Sequence, residues 1–193
     1  MEERLVGLSH QTKLQLGNHT FTAQTTLGTV DQLHVVADNG AFGRVEAGQD
    51  NLTLSGGDEA GHTFTLGIES TGKGQGKGTL TVGSFVYADS GELKGMTGRL
   101  AGQMSPEAKK IFPNGDTLLP YVKWLRRNRT NTSLIIGHSV VKAPPAVDNY
   151  CTSICACCEK GEWPSAAYCC LSCASCDYFK NPVSSIPPPP ARQ

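Results

Sequence analysis

Apolar and polar residues alternate along the first part of the chain in short runs: TFTAQTT (20–26), QLHVVA (32–37), NLTLS (51–55), TFTLGIE (63–69) and TLTVGSFVY (79–87). Every second residue is apolar, and Thr or another polar residue stands between, the period of a strand with one buried face. Turn chemistry separates the runs. Asn39-Gly40 predicts a type I′ hairpin turn, and Gly56-Gly57-Asp58 and Asp89-Ser90-Gly91 are further breaks. Short strands at this spacing predict a mainly β fold, an antiparallel sandwich or small barrel. Within this region SPEAKKIF (105–112) reads as helix, with Ser105 as N-cap and Pro106 in the first helical position.

The pattern changes further along. YVKWLRRNR (121–129) fits an amphipathic segment that packs Tyr121, Val122 and Leu125 on the β region, as a helix or a strand. Its other face, with Lys123, Trp124, Arg126 and Arg127, is the candidate contact for an anionic membrane or a partner. SLIIGHSVV (133–141) reads as one more buried strand, and Pro144-Pro145 breaks regular structure. NPVSSIPPPPARQ is a Pro-rich tail, extended or disordered. Charge divides the chain in the same places. Residues 1–120 carry 13 acids and 9 bases, residues 121–147 carry five bases and no acid, and residues 148–193 carry four acids and three bases. The expected organisation is a β-rich domain (1–120), a basic connector (121–147), a cysteine-rich helical hairpin (148–180) and a tail (181–193).

The whole chain of 193 residues balances 17 basic against 17 acidic residues, so no global field draws nucleic acid to it. No run of about 18 apolar residues is present to span a bilayer as a helix. GKGQGKG (72–78) lacks the Gly-Lys-Ser/Thr ending of a phosphate loop and reads as a hairpin loop with solubilising lysines. His10, His19, His34, His62 and His138 are dispersed, without a second ligand-type residue at metal spacing. No G-x-S-x-G or H-E-x-x-H motif occurs. These observations predict a protein that is not an enzyme and needs no cofactor. The Thr-rich strands, with the glycines of SGELKGMTGRLAGQM (90–104), loosely resemble small eight-stranded barrels.

All eight cysteines lie in CTSICACCEKGEWPSAAYCCLSCASC (151–176). The spacing C-x3-C-x2-C occurs at Cys151, Cys155 and Cys158 and again at Cys169, Cys173 and Cys176. On a helix these positions fall at about 0°, 40° and −20°, a narrow stripe. Folding one segment antiparallel on the other brings Cys151 opposite Cys176, Cys155 opposite Cys173 and Cys158 opposite Cys169. Three disulfide rungs are expected there. Cys157 and Cys170 share the register but point to opposite sides of the pair, so they are either bridged through a distorted turn or free. So short a segment buries too little apolar surface to fold alone, which gives the staples a physical motive. As an independent unit, the hairpin would melt on reduction and leave the β domain folded.

A metal reading competes. Cys155-x2-Cys158 and Cys170-x2-Cys173 form two C-x-x-C pairs, and the CxCC and CC clusters resemble those of metallothioneins, so the alternative is a cytoplasmic zinc- or copper-binding protein. The hairpin also resembles the α-hairpinin antimicrobial peptides through Cys151, Cys155, Cys169 and Cys173. The layout resembles precursors of cysteine-rich bacteriocins, with a leader or protective domain before the core. These resemblances imply an antimicrobial peptide precursor acting at a target-cell membrane. The first 30 residues begin with acids and lack an apolar stretch, so export would use a route not visible in the sequence. Intact mass separates the two readings: four disulfides remove eight hydrogens, whereas a metalloprotein retains its ions.

Overall fold

The computed structural model describes residues 8–27, 30–48, 50–128, 145–161, 163 and 165–180. Eight strands follow one another in a single antiparallel sheet, each hydrogen-bonded to its neighbours in sequence. They are β1 (Leu8–Leu16), β2 (His19–Leu27), β3 (Asp31–Ala37), β4 (Phe42–Ala47), β5 (Asn51–Gly57), β6 (Thr63–Gly72), β7 (Gln75–Val82) and β8 (Phe85–Glu92). The alternation sets which face is buried. Phe21, Leu33, Val35, Val45, Leu54, Leu66, Leu80 and Val82 all lie on the inner face and are almost fully buried. Their registers align these side chains in rows, with Leu33 opposite Val45, Leu54 opposite Leu66, and Leu66 opposite Leu80.

The expected sandwich or barrel is replaced by an open sheet, with β1 and β8 at its two ends. The physical reason is what covers the inner face. An eight-stranded barrel encloses just enough room for side chains. Here whole helices occupy that side: α1 (Met96–Gln103), α2 (Pro106–Lys110), a 3-10 turn (Asp116–Leu118), α3 (Leu119–Arg127), α4 (Pro145–Lys160) and α5 (Ala166–Lys180). Sheet and helix residues form one hydrophobic core, from Phe21 and Leu54 to Leu100, Leu125, Tyr168 and Leu171.

Several local readings change with the packing. TLTVGSFVY is two strands, because Gly83, at φ 59°, turns the chain between β7 and β8. β1 and β4 come from segments without a clean apolar alternation. The lysine-glycine stretch is mostly strand: β6 runs to Gly72, β7 starts at Gln75, and only Lys73-Gly74 forms the loop. MTGRLAGQ is helical despite two glycines, since Met96 and Leu100 press against β7 where Gly78 gives room; a Cβ there would stand 2.7 Å from Met96 Sδ. The expected helix at 105–112 is the shorter α2, and Ser105 Oγ accepts the Ala108 N–H at 3.2 Å.

The connector segment is α3, which buries Tyr121, Val122 and Leu125 as expected and packs Tyr121 on Phe21 in a tilted pair with ring centres 5.5 Å apart. Lys123, Arg126 and Arg127 are exposed on its other side, and Trp124 is half-buried against Tyr121. The strand expected at 133–141 and the Pro-rich tail lie outside the described residues.

Two buried phenols make stability depend on alkaline pH. Burial pushes the Tyr121 phenol well above its ordinary value; burial does the same to Tyr168, aided by the nearby charge of Asp58. Unfolded tyrosine titrates near pH 10, so above that point the unfolded chain sheds protons that the folded chain keeps. Stability should be fully present below about pH 10 and fall as pH rises beyond it. Tyr121 Oη has no hydrogen-bond partner, so Tyr121→Phe should keep the packing and reduce this alkaline loss. Urea midpoints at increasing pH check the prediction.

Candidate functional site: the disulfide hairpin on the sheet

α4 begins at Pro145, whose fixed φ and missing N–H suit a helix start. It ends at Lys160, and Gly161 follows at φ 64°, its N–H donating to Cys157 O at 2.8 Å. α5 then returns alongside it from Ala166, with the Tyr168 and Cys169 N–H groups both reaching Ser165 O. Three disulfides join the described parts of the pair: Cys155–Cys173, Cys157–Cys169 and Cys158–Cys170. Their Cα–Cα distances are 4.8, 6.0 and 4.6 Å, all in the range a disulfide spans without moving the backbone.

The Cys155–Cys173 rung sits where the antiparallel register puts it. The expected Cys158–Cys169 rung does not form, and Cys157 and Cys170 are neither free nor paired with each other. Neighbouring helix residues are about 100° apart, so Cys157 and Cys158 straddle the line where α4 meets α5. Cys169 and Cys170 straddle it from the other helix. One bridge therefore forms on each flank of the seam, instead of one bridge on it. The Cys151–Cys176 rung lies outside the described side chains.

The alternative metal ligands, Cys155, Cys158, Cys170 and Cys173, are each in one of these disulfides. A bridged sulfur has no thiolate to offer a metal ion. Among the described residues, no group of three or more His, Cys, Asp or Glu side chains is placed to hold a metal ion.

Unlike an amphipathic surface helix, α5 is buried on all its described sides. Tyr168, Cys169, Leu171 and Ser172 are within 1% of complete burial, and Cys170, Cys173 and Ala174 are nearly so. α4 covers one side, α3 another, and β4 and β5 the third. Leu171 fills the space above Gly43, where a Cβ would stand 2.6 Å from its Cδ2. Tyr168 lies over Gly56, where a Cβ would overlap its ring. The Tyr168 hydroxyl donates to Gly57 O at 3.3 Å, 111 residues away in sequence. Trp163, between the two helices, completes an aromatic cluster with Phe64 and Phe112, each ring centre 5.3 Å from its own. Fully burying a large apolar side chain contributes about 1.5–3 kcal/mol, so Trp163, Tyr168 and Leu171 bind the hairpin firmly to the sheet.

Polar groups hold the edges of this contact. Ser153 Oγ accepts the Gly95 N–H at 3.0 Å, and Arg126 donates to Cys158 Sγ at 3.5 Å. Arg126, one of the connector candidates, thus touches a disulfide. Asp58 fastens the loop beside Tyr168 by accepting N–H groups from Ala60, His62 and Asn114. Burial opposes its negative charge, but these hydrogen bonds and His62 prevail and hold its carboxyl below the usual range.

The comparisons give no outside guide: no family model, curated protein or solved structure matches this chain. The residues that sequence reading missed are Trp163, Tyr168 and Leu171, with the glycines beneath them. A signal was present, because AAYCCLSCAS is apolar or small all the way round, as in a helix that is buried on every side.

Because core and hairpin are continuous, the expected independent melting of the hairpin gives way to a coupled outcome. The inner loops close over a separation of 12 residues, and the first such bond contributes about 3 kcal/mol. Reduction should lower the melting temperature of the sheet itself, in one transition followed by β-type circular dichroism. A sheet signal unchanged by reductant would contradict the coupling. A second prediction concerns Ser172, whose buried Oγ has no hydrogen-bond partner. Ser172→Ala removes a dry hydroxyl and breaks no bond, and should leave stability unchanged or raise it by about 1 kcal/mol, read from urea unfolding.

Proposed function

We propose that this is a non-enzymatic two-part protein in which the α4–α5 disulfide hairpin is the active piece, an antimicrobial peptide of bacteriocin type. The sheet and α1–α3 are its cover. The observation that carries the reading is the complete burial of Tyr168 and Leu171, the large apolar side chains of a helix already stapled to its neighbour. A hairpin held by disulfides keeps its shape away from the rest of the chain, because its unfolded state is constrained. Detached, it presents the aromatic and aliphatic side chains that now face β4 and β5, the kind of surface that enters a lipid interface. Attached, its exposed residues among those described are Thr152, Glu159, Lys160 and Gly161, a polar set. Disulfides persist in oxidising surroundings, which fits a protein that is exported. The exposed Lys123, Arg126 and Arg127 then serve the cover rather than the killing surface.

The test is direct. A site-specific protease sequence placed within 129–144 lets the oxidised hairpin be cut from folded protein and purified in denaturant. Dye release from anionic vesicles and growth inhibition are then compared for hairpin and intact chain. The hairpin should act at concentrations where the intact chain does not. An inert hairpin, or native protein carrying free thiols and bound zinc or copper, would overturn the reading.

A further inference from the structure

The inner face of β4 and β5 is shaped around α5 as well as covered by it. Neighbouring inward positions on these strands are large, Val45 on β4 and Leu54 on β5, yet Gly43 and Gly56 stand where α5 passes. A side chain at either place would meet Leu171 or Tyr168. Gly115, ahead of the 3-10 turn, makes the same allowance: a Cβ there would collide with Ser165. The polar contacts agree with this fit, since the Tyr168 hydroxyl reaches Gly57 O and Ser153 Oγ takes the Gly95 N–H. All of these contacts join residues at or before 127 to residues at or after 145, and none needs the peptide connection between α3 and α4.

We infer that this face is a binding site for the disulfide hairpin in its own right. After the chain is cut between α3 and α4, the sheet piece retains the hairpin without a covalent link. Gly43 and Gly56 select the occupant by admitting Leu171 and Tyr168. The inference rests on the reading of the hairpin as the releasable piece and adds a step to it. Cutting the chain does not free the peptide; a membrane or another partner must draw it off. Shape-matched apolar contacts of this kind are where binding energy concentrates in an interface.

The experiment uses the full chain with the protease sequence in 129–144, folded and oxidised, then cut and passed through a size-exclusion column in native buffer. The two pieces should co-elute and separate only in denaturant. Leu171→Ala and Gly43→Ala should each weaken retention about tenfold, by losing contact or by filling the notch. The combination Gly43→Ala with Leu171→Ala should recover part of the loss, because a smaller side chain then meets the filled notch. Circular dichroism of the uncut variants verifies folding. If Gly43→Ala misfolds, Leu171→Ala carries the test alone. Wild-type pieces that separate on the column, single effects that merely add, or retention unmoved by Leu171→Ala would each overturn the inference. Vesicle leakage keeps the two ideas apart. Separation with a leaky hairpin sinks only the binding site, whereas retention of a hairpin that proves inert sinks only the antimicrobial reading.

Discussion

The close approach of one helix to the sheet governs this molecule. α5 lies so near β4 and β5 that a Cβ at Gly43 would press on Leu171 and one at Gly56 on Tyr168. Once that contact is made, the other helices have places to go. α4 is fastened to α5 by disulfides, α3 closes over the side that Arg126 reaches, and Trp163 wedges the inter-helix turn against Phe64 and Phe112. The sheet then has no need of a second sheet, and no room to close on itself.

The cysteines and the glycines divide the labour between two kinds of specificity. Disulfides fix the internal geometry of the hairpin. The glycine notches fix which surface it meets in the intact chain. Neither feature depends on charge, which agrees with a chain whose acids and bases balance. Where charge does act, it is local. Arg99 pairs with Asp89 at 2.8 Å beside α1, and His19 pairs with Asp38 at 2.7 Å at the end of β2. Asp58 draws the loop after β5 toward Asn114.

How legible was this in the sequence? Strands with strict alternation, such as QLHVVA and TFTLGIE, were plain because one buried face imposes period two. β1 was not, since Leu14 and Leu16 are only partly buried at an end of the sheet and the polar Thr12 shares their face. α1 was hidden by its glycines, which propensity counts against a helix while packing on Gly78 outweighs it. The helical hairpin and the Cys155–Cys173 bond followed from cysteine spacing. The inner two bonds did not, because the rotation of each helix about its own axis decides them, and spacing alone leaves that angle open. Gly56-Gly57 looked like a break. It is strand: the missing side chain of Gly56 leaves room for Tyr168 of α5 and for Phe64, and that of Gly57 leaves room for Phe42.

The order of the sheet also has a consequence in time. Each strand pairs with the one before it, so the meander closes through short local loops, the topology that forms quickly. The Tyr168–Gly57 contact spans 111 residues and belongs to the opposite class. Because synthesis runs from the N-terminus, the strands emerge before the helix that will lie on them. During that interval Phe64, Leu54 and their neighbours face water and invite association with other chains. The exposed period lasts for as long as the ribosome takes to make the connector and both cysteine helices, and a growing chain would profit from a chaperone over just that span.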